Sequence, residues 1–85
     1  MLVVKEAQFK IYVYPNDYES GPHCHVRFND DSEISVDIPL IMPRYGADLP
    51  WEVREVIERD IDLIFRSYER VNPPRIYKKP KKKRK

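Results

Sequence analysis

Eighty-five residues leave room for one small domain and exclude a two-domain enzyme. Apolar residues, 41% of the chain, suffice for a modest core, yet no apolar run approaches the roughly 20 residues of a membrane-spanning helix. The formal net charge of +2 hides a division: residues 1–74 hold 8 basic and all 14 acidic residues, a net −6, and residues 75–85 hold 8 basic ones, a net +8. A single domain over 1–74 and a basic tail over 75–85 are therefore expected. The one cysteine, Cys24, has no internal disulfide partner, and Lys5 and Glu6 interrupt what would be the apolar stretch of a secretory leader. A reducing cytoplasm is the expected compartment.

Gln8 to Tyr14 alternates, with Phe9, Ile11 and Val13 on one side and Lys10, Tyr12 and Tyr14 on the other, as a half-buried strand requires. Pro15, Asn16, Asp17, Ser20, Gly21 and Pro22 cluster turn formers into a loop. His23 to Phe28 alternates again, setting Cys24, Val26 and Phe28 against His23, His25 and Arg27. Glu33 to Ile38 repeats the pattern, with Ile34, Val36 and Ile38 against Glu33, Ser35 and Asp37.

Register follows from parity. Cross-strand neighbours share a face, so the last two strands must pair residues whose numbers have an even sum. A three-residue loop of Asp30, Asp31 and Ser32, closing on Asn29 and Glu33, satisfies this rule; it pairs Val26 with Val36 and sets His25 across from Asp37.

Pro39 ends the third strand, and the connection to Leu49 is irregular, with a short edge strand near Ile41. From Pro50 to Val71 the period changes: Val53, Val56, Ile57, Ile61, Ile64, Phe65 and Tyr68 recur at three- and four-residue steps, one stripe of a long helix. Asp48 or Leu49 would cap it, Pro50 would occupy the first turn, and Asn72, Pro73 and Pro74 would end it. The expected fold is a two-layer α+β domain: a three-stranded antiparallel meander with one long C-terminal helix on its apolar face. The other sheet face would then be bare.

That face carries the candidate site residues Tyr12, Tyr14, His23, His25, Arg27 and Asp37, with Tyr12, His23, His25 and Arg27 at the centre. Tyrosines on an open sheet suit a protein partner or a second copy of the chain, and edge pairing by either outer strand is also available. They also resemble the stacking platforms of single-stranded RNA binders, against which the acidic body argues. His23 and His25, two apart on one strand, have a spacing able to chelate a divalent transition metal, with Asp37 as third ligand. Cys24 points to the opposite face, which removes a cysteine–histidine dyad, and Ser35 has no nucleophile elbow around it.

The tail KKPKKKRK, with Lys78, Lys79, Lys81, Lys82, Lys83, Arg84 and Lys85, holds seven cations in eight residues and no apolar residue. It is expected to be disordered when free and to contact nucleic acid without sequence preference.

The run Ile11, Tyr12, Val13, Tyr14, then Asp17, then Pro22, His23, Cys24, His25, Val26, followed by the alternating strand at 33–38 and by Leu49 and Pro50 opening a helix, resembles a family of short bacterial proteins. This is the domain-of-unknown-function family numbered four-one-six-zero, marked by a Pro-His-x-His-Val strand. The resemblance implies a small α+β fold, no established catalytic activity, and a toxin–antitoxin-like setting. Two functions are thus weighed: a non-enzymatic interaction module without cofactor, and a metal-dependent enzyme, RNA-directed, using His23, His25 and Asp37.

Overall fold

The computed structural model describes residues 1–15 and 21–73. Five strands form one antiparallel sheet in sequence order: β1 (Leu2–Lys5), β2 (Phe9–Tyr12), β3 (His23–Phe28), β4 (Glu33–Asp37) and β5 (Met42–Pro43). Two helices follow, α1 (Trp51–Arg59) and α2 (Ile61–Val71). The three alternating segments do become neighbouring strands, but the three-stranded meander with one long helix is corrected to five strands and two short helices.

β1 has a physical reason for escaping periodicity. It pairs Leu2 with Tyr12 but Val4 with Ile11, and a bulge between them absorbs Val3. Leu2 and Val4 therefore belong to different rows of the sheet although they are two residues apart, and LVVK shows no alternation. With β1 and β5 on the flanks, the segments expected at the edges lie inside the sheet and cannot pair with another copy. The short edge strand anticipated near Ile41 is β5, which pairs Val36 with Pro43 and Asp37 with Met42.

The β3–β4 register keeps the even-sum rule but slides by two residues: His23 faces Asp37, Cys24 faces Val36, His25 faces Ser35 and Arg27 faces Glu33. The cause lies in the turn. Phe28 and Ser32 close it, the Phe28 N–H donating to the Ser32 carbonyl at 2.9 Å, so the loop is Asn29, Asp30 and Asp31. Its last position is left-handed, and Asp31 takes it at φ 71°. The expected loop would have put Ser32 there, and aspartate tolerates that conformation better. Asp30 Oδ1 accepts from the Ser32 N–H at 3.0 Å and the Ser32 hydroxyl at 2.6 Å, which holds its carboxyl below the ordinary value.

The helical stripe is likewise divided. Asp60 (φ −109°, ψ 21°) is both the C-cap of α1 and the N-cap of α2. An i to i−4 bond reaches it from each side, from the Asp60 N–H to the Val56 carbonyl at 3.0 Å and from the Ile64 N–H to the Asp60 carbonyl at 2.9 Å. The stripe therefore stays in phase on both sides of the break. Aspartate is a poor interior helix residue, and the Asp60 carboxylate instead receives Arg59, which also bridges to Glu6. Pro50, expected in the first turn, is itself the N-cap, with no side-chain capping bond. Val71 ends α2 and Asn72 caps it, as anticipated.

The core joins the inner sheet face to both helices. Ile11, Val13, Cys24, Val26, Val36, Ile57 and Ile64 are wholly buried, and Val4 and Ile41, which periodicity had not placed, join them. Ile41 does so with left-handed backbone, φ 60°, a conformation costing a β-branched residue about 1–2 kcal/mol. Burial of its side chain and the Arg54 Nη2 donation to its carbonyl at 3.1 Å hold it there. Among the described residues no helix is long and apolar enough to cross a membrane.

Cys24 faces inward as expected, and burial pushes its thiol up to about 12. At pH 8 the reactive thiolate is then about one part in ten thousand, so thiol–disulfide exchange by the native protein should run on the order of a thousandfold slower than that of an ordinary thiol. Timed reaction with a chromogenic disulfide, before and after adding guanidinium, measures this. A native rate within tenfold of the denatured one would contradict the burial.

Candidate functional site

The outer sheet face is built in rows by the register. Leu2, Tyr12, His25 and Ser35 form one row; Lys5, Lys10, Arg27 and Glu33 form the next. His23 and Asp37 lead a third, with Met42 beyond them on β5. The candidates Tyr12, Tyr14, His23, His25 and Arg27 therefore do share a region, but they are not equally open.

His23 is buried, at 3% exposure, which corrects its expected place at the centre of a bare surface. Its Nδ1–H donates to the Gly21 carbonyl at 2.9 Å, and its ring lies 5.0 Å from that of His25 and 6.1 Å from that of Tyr68 of α2. The start of β3 is thus packed against the end of a helix. Strand periodicity reports the face a side chain leaves from, and says nothing of what crosses the end of the sheet.

His25 is half-buried and is not opposite Asp37. Its Nδ1–H donates to Glu33 Oε2 at 3.0 Å, and the Ser35 hydroxyl stands 3.4 Å from the same nitrogen. Tyr14 leans on it with ring centroids 4.7 Å apart, and Tyr12 stacks on Tyr14 at 6.0 Å with planes 15° apart. Asp37 is instead held by the Arg44 guanidinium. Sequence reasoning missed Glu33 and Arg44 as partners. The preference for aspartate at the left-handed turn position would have moved His25 off Asp37 through the register, and nothing local points to Arg44.

This geometry bears on chemistry. Ser35, His25 and Glu33 have the residue types of a hydrolytic triad, yet serine and carboxylate converge on one imidazole nitrogen. A relay requires the acid on one nitrogen and the serine on the other, so that the lone pair faces the hydroxyl. The metal set His23, His25 and Asp37 is also not brought together: Asp37 is engaged by Arg44, and His25 faces Ser35 and bonds Glu33. Among the described residues no group of three or more His, Cys, Asp or Glu side chains is arranged to hold a metal ion.

The Lys5, Lys10 and Arg27 row is the open half of the face. Lys5 and Arg27 are exposed and Lys10 is half-buried. A depression of about 290 Å³ lies over its Lys10 and Arg27 end, lined by Lys10, Tyr12, Arg27, Phe28, Asn29 and Asp31. Asp17, Pro74 and the tail cations Lys78, Lys79, Lys81, Lys82, Lys83, Arg84 and Lys85 lie outside the described residues, as does the expected boundary between domain and tail.

No family model, curated protein or solved structure matches the chain.

Proposed function

We propose that this chain is a non-enzymatic interaction module. The outer face of its sheet docks a partner, and the basic tail adds nonspecific contact with nucleic acid. One observation carries the reading: both helices pack on the inner face, while the outer face sets Lys5, Lys10 and Arg27 side by side in neighbouring strands with no layer over them among the described residues. The three cations stand together on that face even though residues 1–74 carry a net −6. The convergence of Ser35 and Glu33 on a single nitrogen of His25 supports a binding role over a hydrolytic one.

The tail component has its own test. Replacing Lys78, Lys79, Lys81, Lys82, Lys83, Arg84 and Lys85 with glutamine in the full chain should flatten the dependence of log affinity on log salt. For a single-stranded oligonucleotide the slope should fall by about 5, from about 0.7 per phosphate contact. An unchanged slope would remove the tail from the reading.

A second copy as the partner is favoured by β5. This two-residue edge strand carries exposed Met42 between Leu40, 79% exposed, and Tyr45, 90% exposed. So short an edge offers few backbone groups, so association there would run through side chains. Light scattering on the wild type and on Leu40→Ser/Tyr45→Ser decides it: a dimer lost in the variant supports the contact, and a monomeric wild type ends it.

A further inference from the structure

We infer that the open half of the outer sheet face binds single-stranded nucleic acid, with Lys5, Lys10 and Arg27 on its phosphates and Tyr12 against a base. This rests on reading that face as a docking surface and names what docks there.

Like charges directly opposite one another in an antiparallel ladder destabilise the sheet. Here Lys5 faces Lys10 across β1 and β2, and Lys10 faces Arg27 across β2 and β3, so three cations stand on adjacent strands about 4.8 Å apart. A lysine on an edge strand has an ordinary use in discouraging aggregation, which accounts for Lys5 alone. It does not account for Lys10 and Arg27 on interior strands.

Two carboxylates offset this only in part: Glu33 stands opposite Arg27 with its Oε2 taken by His25, and Asp31 lines the depression from the turn. Among the described residues none of the three cations forms an ion pair. A run of cations held together against their mutual repulsion is completed by a ligand that brings spaced negative charge.

An aromatic ring neighbours that row. Tyr12 follows Lys10 by two residues on β2, lies over the same depression, and is held in orientation by its near-parallel stack on Tyr14. A fixed aromatic ring beside a cationic track is the pairing by which proteins hold unpaired bases, since every base presents a π face and every linkage a phosphate. An acidic peptide would meet the charge but leave the ring unused. A duplex keeps its bases stacked on each other and cannot offer one to Tyr12.

The test uses the full chain and fluorescence anisotropy with labelled dodecauridylate, a 12-base-pair DNA duplex and polyglutamate of matched length. Replacing Lys5, Lys10 and Arg27 with glutamine should lower the salt slope for dodecauridylate by about 2. Its thermal midpoint should hold or rise, because repulsion is relieved. Tyr12→Leu keeps the apolar volume and should weaken dodecauridylate binding roughly 5- to 100-fold with the slope unchanged, while leaving the duplex unaffected. If the triple variant does not fold, Lys10→Gln alone should lower the slope by about 0.7.

An unchanged slope in these variants overturns the inference, as does polyglutamate binding as tightly as dodecauridylate or an equal Tyr12→Leu effect on the duplex. The tail variant separates the two failures. A slope that falls only when the tail is neutralised leaves the module with a nucleic-acid tail and no nucleic acid on its sheet.

Discussion

Ile11→Ala is expected to lower the free energy of unfolding by about 2–5 kcal/mol, a large part of the roughly 5–15 kcal/mol that holds a domain together. Ile11 has no exposed surface and sits where three strands meet, paired with Val4 on β1 and Val26 on β3. It belongs to the same buried cluster as Ile57 of α1 and Ile64 of α2. Truncation removes apolar contact and leaves a void that sheet neighbours on both sides cannot close without breaking their ladders, which places the expected cost in the upper half of the range. Urea unfolding followed by circular dichroism measures it as a lowered midpoint at constant slope. Leu40→Ala, at a residue four-fifths exposed, should stay within about 0.5 kcal/mol. Similar costs for the two variants would mean that the core is not where the fold places it.

Asn72→Ala should cost about 1–3 kcal/mol, although it lies beyond the last residue of the last helix. The side chain is 4% exposed, and its Nδ2 donates to the Tyr14 carbonyl at 2.8 Å and the Tyr68 carbonyl at 3.2 Å. One amide thus ties the end of α2 to the chain just past β2, 58 residues away in sequence. Alanine withdraws both donations inside the protein, where water does not replace them. Asn72→Asp keeps the shape but turns a carboxylate toward two carbonyl oxygens, so it should cost at least as much. Thermal melts of both variants check the order, and an aspartate variant as stable as the wild type would show that shape, and not donation, is what the site needs.

The strands at 9–12, 23–28 and 33–37 were legible because each buries one face, and a period of two is the direct imprint of that burial. The inward thiol of Cys24 and the parity of the β3–β4 pairing follow from the same rule. Parity leaves steps of two undetermined, however, and the step taken here depends on which residue of Asn29, Asp30, Asp31 and Ser32 adopts left-handed backbone. That choice moves His25 from Asp37 to Ser35 and so dissolves the expected ion pair and the expected metal set together. β1 was illegible because its bulge shifts phase inside four residues. The break at Asp60 was hidden because no glycine or proline marks it, so the apolar stripe of the two helices reads as one.

Local chemistry written into the chain was enough to place most of the core, the three neighbouring strands at 9–12, 23–28 and 33–37, and the side of the sheet from which their residues depart. Each depends on neighbours within a few positions, where covalent geometry sets direction. Only the tertiary structure decided that His23 is enclosed by Gly21, His25 and Tyr68, that Glu33 and Arg44 claim His25 and Asp37, and that Lys5 stands beside Lys10 and Arg27. Those are meetings between segments distant in sequence, set by strand order, by a two-residue slide in register and by the path of α2, and no local period encodes them.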